Sequence, residues 1–225
     1  MEHHFLRVTP GYTSQFAFIA ISKPVGRRTI FWNRGSVPHL KSKDVDLSPF
    51  SKADILHLDG LMLEASLEAA RQAKALGLTV VMDGGTMREG TQELLSLVDV
   101  LIASERFAEP LLRPGEPPEK CIEALRTLGP PVVIVTLGSG GSIGESDKGE
   151  TVFQKAFPAN AVDTTGAGDV YHGAYIFGML QNWGMHECMR FASAASALKC
   201  QAIGAQNGIP RLAEINALIA RHPEI

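Results

Sequence analysis

The segment Asp163-Thr164-Thr165-Gly166-Ala167-Gly168-Asp169 stands directly before an apolar run, Val170–Leu180. Two glycines around a small alanine leave successive backbone N–H groups unobstructed at a helix start. Such a nest, with the positive end of the helix dipole behind it, binds an anion or a developing phosphoryl charge. Asp169, immediately after the nest, would lie close to that anion. Repulsion makes this a poor place for a bystander carboxylate and a good one for a base accepting a hydroxyl proton. The same residues admit a plainer role, with Asp163 as an N-cap and the glycines permitting tight packing. Spacing alone leaves both open.

Other segments fit chemical signatures less well. Gly140-Gly141-Ser142-Ile143-Gly144 satisfies GxSxG, the hydrolase nucleophile elbow, which turns from a strand directly into a helix. Here polar Glu145-Ser146-Asp147-Lys148-Gly149 follows, then a second β-like run, Thr151–Phe157, which is hairpin chemistry. The stretch from Gly138 to Gly144 misses the third glycine of the dinucleotide fingerprint and opens no helix, and no GxxxxGK[ST] occurs. His186-Glu187-Cys188 has no zinc-ligand spacing, and adjacent helix positions do not face one site. His57, in a strand-like Ile55-Leu56-His57-Leu58, reads as a structural histidine, with an approach to substrate as the alternative. Asp83, before Gly84-Gly85, reads as a turn residue, with a water-mediated role near a metal as the alternative. The aromatic and Met positions from Tyr171 to Met179 read as core.

Composition bounds these candidates. The chain has 225 residues, 45% hydrophobic and 20% charged, with 22 glycines and 13 prolines, which is globular rather than disordered or fibrous. A net charge of −3 offers no basic excess for a nucleic-acid backbone. Three cysteines, Cys121, Cys188 and Cys200, form no CxxC and suggest reduced thiols. No apolar run is long enough to span a membrane, and Met1-Glu2-His3-His4 does not open a signal peptide. These features predict a cytoplasmic protein.

The elements that must position the nest follow from periodicity. Glu64–Leu76 predicts a helix capped by Gly77, Leu78–Met82 a buried strand, Thr91–Leu97 a helix and Val98–Ala103 a strand. Pro118–Leu128 predicts a helix opened by Pro117-Pro118, and Pro131–Leu137 a parallel-type strand. This alternation predicts a doubly wound α/β sheet. Three helices follow, over 166–181, 184–201 and 211–221. Near the start, Gln15–Ser22 and Arg28–Asn33 read as strands around a Lys23-Pro24-Val25-Gly26 turn. A small β part over 1–35 and an α/β core over 36–225 are thus expected.

The run from Asp163 to Asp169 followed by an aromatic-rich helix resembles the signature of the ribokinase/PfkB family of carbohydrate kinases. The segment 131–142 is similar to the family's nucleotide-binding strand and glycine loop, and 191–210 to the segment lining its adenine pocket. The likeness covers about Ala53 to Pro210, and Thr9–Arg34 resembles part of the family's β-sheet lid. It implies a ribokinase-like fold in which Asp169 is the general base and Gly166, Ala167 and Gly168 form the anion hole for the γ-phosphoryl group. Thr136, Gly138 and Gly141 would approach the ATP phosphates and ribose, and Ser193, Ala194 and Ala197 the adenine. Asp163 and the Thr165 carbonyl resemble the monovalent-cation (K⁺) site of some members. Mg²⁺ would accompany ATP, held largely by phosphates and water.

The sequence also departs from the family. Where Asn-x-x-Glu usually helps arrange magnesium, it has Ser104-Glu105-Arg106-Phe107, with Glu105 as a water-mediated substitute. The usual opening strand with its sugar-contacting Asp, and the glycine-rich Asn segment after it, do not occur, so the chain reads as an N-terminally shortened member. The expected activity is ATP-dependent phosphorylation of a hydroxyl of a small sugar or sugar derivative, with some ketohexokinase-like features at 156–158, Ser104 and Lys199-Cys200. The alternatives are a nucleoside kinase of the same fold and an inactive, nucleotide-binding remnant. Phe16, Phe18, Phe31 and Trp32 on the lid strands suit either a homodimer or lid burial within one chain.

Overall fold

A computed structural model describes residues 5–6, 8–22, 27–112, 116 and 120–225. The initial Met1–His4, the Lys23–Gly26 turn and the Pro117-Pro118 helix start lie outside the described residues. Residues 1–40 and 41–225 form two compact units. In the first, β1 (Phe16–Ser22) and β2 (Arg27–Asn33) pair antiparallel with Phe18 opposite Phe31. Phe16, Phe18, Ile30, Phe31 and Trp32 are all exposed.

The second unit is built on a six-stranded sheet. β3 (Ile55–Leu58), β4 (Thr79–Gly84), β5 (Val100–Ser104) and β6 (Val132–Thr136) run parallel in chain order, and β7 (Ser142–Glu145) and β8 (Thr151–Gln154) continue the sheet antiparallel. The central strands are apolar at successive positions because both faces are covered. Val80, Met82, Leu101, Ala103, Val133 and Val135 meet one layer. That layer contains α1 (Leu63–Leu76), α2 (Thr91–Leu95), α3 (Glu105–Ala108) and α4 (Lys120–Arg126). Val81, Val100, Ile102 and Ile134 point the other way, to Tyr171 and Tyr175 of α5 (Ala167–Leu180) and to Cys188 and Met189 of α6 (Met185–Lys199). The period-two alternation of a strand produces this division. α7 (Leu212–Arg221) packs Ile215 and Leu218 against Phe191 and Ala195 of α6.

The doubly wound sheet expected from the pattern is present, with an antiparallel pair added on one side. α1 ends where expected: Gly77 adopts a left-handed φ of 78°, and its amide closes onto Ala73 and Lys74. The run Thr151–Phe157 is strand only to Gln154, because Phe157 leaves the sheet and is buried among Phe191, Ala194 and Leu218. Among the described residues, no helix is long and apolar enough to cross a membrane.

Candidate active site

The first turn of α5 forms the candidate site. Gly166 stands at the N-cap with φ 79°, and a Cβ there would lie 3.1 Å from both the Cβ and the carbonyl oxygen of Ala205. Glycine is therefore required both by conformation and by space. The Ala167 amide turns back to the Thr164 carbonyl (3.2 Å), and the first helical bond runs from Val170 N–H to Gly166 O (3.0 Å). The intervening amides of Gly168 and Asp169 lie ahead of the helical ladder, where N–H groups lack intrahelical acceptors. Both residues are exposed. Asp169 borders a cavity of about 520 Å³ whose walls include Val170, Gly173, Phe177, Phe191 and Ile209.

Asp163 is not the N-cap of this helix. It is buried, and its carboxylate accepts the Thr165 amide at Oδ1 and the Gly204 amide at Oδ2, both at 2.9 Å. The carboxyl is held at about 2 by the Thr165 side chain first, then by the two amides and the Lys199 charge, against the cost of desolvation. The Thr165 hydroxyl acts on this carboxylate without the geometry of a full hydrogen bond: Oγ1 is buried and has no hydrogen-bond partner. Lys199, fully buried at the end of α6, donates from Nζ to the Asp163 carbonyl at 2.8 Å. Asp163 thus ties the loop entering α5 to the loop leaving α6.

Behind Asp169, His172 links α5 to the sheet. Its Nδ1 lies 2.6 Å from the Gly168 carbonyl, and its Nε2 lies 3.0 Å from the Ile102 carbonyl and 3.5 Å from Asp83 Oδ1. Oxygen atoms thus face both ring nitrogens, and the tautomer sets which nitrogen donates. Desolvation pushes the Asp83 carboxyl up; the charge of His172 opposes this, and Asp169 adds to it. His57, its ring centroid 5.8 Å from that of His172, is lowered by desolvation and then by the neighbouring His172 charge. Asp83 and Asp169, read separately from the sequence, therefore belong to one electrostatic cluster.

Thr136 ends β6 and donates to the Ala103 carbonyl at 3.3 Å. Gly138 is exposed with φ 58°, whereas Gly141 is buried with φ 95° and would place a Cβ 2.1 Å from the Gln154 carbonyl. Ser142 is fully buried at the start of β7, its hydroxyl 2.9 Å from Tyr171 OH. A strand rather than a helix follows the GxSxG segment, so the nucleophile-elbow geometry is absent. Ser193 donates to the Lys155 carbonyl at 3.2 Å, Ala194 is fully buried in the helical core, and Ala197 is half-buried. Glu105 is exposed at the first residue of α3. Among the described residues, no group of three or more His, Cys, Asp or Glu is arranged to hold a metal ion.

His172 and Lys199 were given no role on sequence. His172 had a usable signal, since i+4 places it one turn from Gly168 on the same face. Lys199 is a lone charge ending an Ala- and Ser-rich stretch, but its acceptor lies 36 residues away.

The pattern of the pfkB family of carbohydrate kinases matches residues 2–212. A ribokinase of Lactococcus lactis subsp. lactis is 35% identical over 156 residues, covering 68% of this chain and 49% of its own length. The chain thus spans about half the length of that relative. An Arabidopsis thaliana ribokinase solved with ribose and ATP aligns with a TM-score of 0.80 and 28% identity, over 93% of this chain and 70% of its own. A chain from E. coli described as a ribokinase II and solved with ATP and Mg²⁺ gives 0.80 and 27%, over 95% and 73%. A glycine nest opening α5, an exposed carboxylate directly behind it and a match across most of the sequence lead to one assignment: the chain belongs to the pfkB family of carbohydrate kinases.

Proposed function

We propose that this chain transfers the γ-phosphoryl group of ATP to a hydroxyl of a small sugar or sugar derivative. One observation carries the reading: Asp169 is exposed in the first turn of α5, directly after the Gly166-Ala167-Gly168 nest, and borders a cavity of about 520 Å³. Asp169 accepts the proton of the attacking hydroxyl. The Gly168 and Asp169 amides and the α5 dipole stabilise charge on the equatorial phosphoryl oxygens, where in-line transfer needs it.

Thr136, at the end of β6, and exposed Gly138 flank the triphosphate. Gly141 shapes that loop by its tight packing on Gln154. Ala197 supplies an edge for adenine, with Ser193 and Ala194 as the buried backing of that wall. The hard oxygen donors Asp83 and Glu105 fit Mg²⁺ held mainly by phosphates and water, both reaching it through water. Bound there, the ion would neutralise charge on the β- and γ-phosphates. None of the three cysteines is disulfide-bonded, which fits a cytoplasmic setting. The exposed aromatic faces of β1 and β2 fit pairing with a second copy.

Thermal unfolding with and without Mg-ATP, followed by a sugar panel read by ADP release, tests the reading. At 100 times Kd, ATP should stabilise the chain by about 2.7 kcal/mol. ADP release that depends on one sugar supports the proposal. Stabilisation by Mg-ATP with no sugar-dependent release would instead identify a nucleotide-binding protein without transferase activity.

A further inference from the structure

The family resemblance implies a monovalent cation beside Asp163 and the Thr165 carbonyl, and the residues present do not fit one. The Asp163 carboxylate already accepts the Thr165 amide at Oδ1 and the Gly204 amide at Oδ2. Its backbone carbonyl accepts the Lys199 ammonium at 2.8 Å. Lys199 is fully buried, so its charge is uncompensated by solvent; it bonds the Asp163 carbonyl and its field reaches the Asp163 carboxylate.

We infer that Lys199 itself supplies the positive charge at this position, so that the protein has no K⁺ requirement. A K⁺ ion brought into contact with Asp163 would stand beside a buried ammonium already bonded to the Asp163 carbonyl, and like charges repel strongly in such a setting. The loop geometry holds the ammonium in place. The amides of Val162 and Asp163 both donate to the Cys200 carbonyl, at 2.8 and 3.2 Å, fixing the segment before α5 to the end of α6. Among the described residues, Thr165 Oγ1 is the buried side-chain oxygen of this loop without a hydrogen-bond partner, and a single hydroxyl does not make a cation cage. Lys199 is here a positioning residue: it orders the entry to α5 through Asp163 and touches neither substrate.

The inference rests on the family assignment, and its test avoids turnover so that its failure and that of the kinase reading are separable. The melting temperature of the full chain and its Mg-ATP affinity are compared in KCl and in tetramethylammonium chloride at equal ionic strength. The melting temperatures are expected to coincide, and the affinities to agree within about twofold, because a ligand that does not bind does not stabilise. A melting temperature raised by K⁺, or ATP binding tightened about tenfold by it, would overturn the inference. Failure to bind ATP in either salt would overturn the kinase reading, while the melting comparison still decides the cation question. In a second arm, Lys199→Met removes the charge and keeps the length. Stabilisation of that variant by K⁺, absent in the parent, supports Lys199 as the resident cation; a variant equally indifferent to K⁺ refutes it. If the variant does not fold in either salt, the parent comparison alone decides.

Discussion

His172 Nε2 lies 3.5 Å from Asp83 Oδ1, across the gap between the first turns of α5 and the end of β4. With Nδ1 on the Gly168 carbonyl at 2.6 Å, the imidazole fastens the glycine nest to the sheet. Replacing it with leucine, His172→Leu, removes the imidazole from between the Gly168 and Ile102 carbonyls and from beside Asp83. Unfolding in urea should show a loss of about 1–3 kcal/mol. A loss below about 0.5 kcal/mol would show that the bridge does not hold the helix start.

Asp169→Asn keeps the size of the side chain and removes the base. Once the accepted sugar is known, kcat is expected to fall by about 10²–10⁴, with Mg-ATP affinity nearly unchanged. Steady-state kinetics and a binding titration on one preparation check both halves. Near-parental kcat would remove Asp169 from the proposed mechanism.

Gly166→Ala combines a positive φ with a Cβ placed 3.1 Å from Ala205. The left-handed backbone alone costs about 1–2 kcal/mol for a residue with a Cβ. The melting temperature should drop, and Mg-ATP should stabilise the variant less than the parent because the nest amides are displaced. Parental stabilisation by Mg-ATP would argue against a role for the nest in holding phosphate.

The Asp163 carboxyl has a folded value of about 2, depressed from 3.8, so its ionised form is favoured in the folded state. A depressed carboxyl contributes stability that is fully present above its unfolded value and disappears as pH falls through its folded value. The stability gap between the parent and Asp163→Asn should therefore be widest above about pH 4 and close toward about pH 2. Denaturant titrations across that range measure it. A gap independent of pH would mean that the loop is held without the charge.

The nest, its exposed carboxylate and the sheet were legible in the sequence because each is a local pattern. Glycine placement sets where α5 can begin, and runs such as Val132–Thr136 carry the period-two burial of a doubly covered strand. The hairpin reading of 140–157 followed from the polar Glu145–Gly149 stretch, and β7 and β8 pair antiparallel across it, while the antiparallel pairing of β7 with β6 was not read from the sequence. Element ends were less legible, since Phe157 leaves the sheet for a partner 34 residues away, Phe191, which no local pattern announces.

What only the tertiary structure decided are relations across long separations. His172 meets the Ile102 carbonyl over 70 residues, and Lys199 meets the Asp163 carbonyl over 36. Residue type left a lone histidine and a lone lysine with many roles open. Folding brings α5 against β4 and β5, and α6 back to the loop before α5. In both places a buried polar group must find partners, and only the folded chain supplies them. Sequence alone thus pointed to the start of α5 as the candidate site, and packing determined which charges surround it.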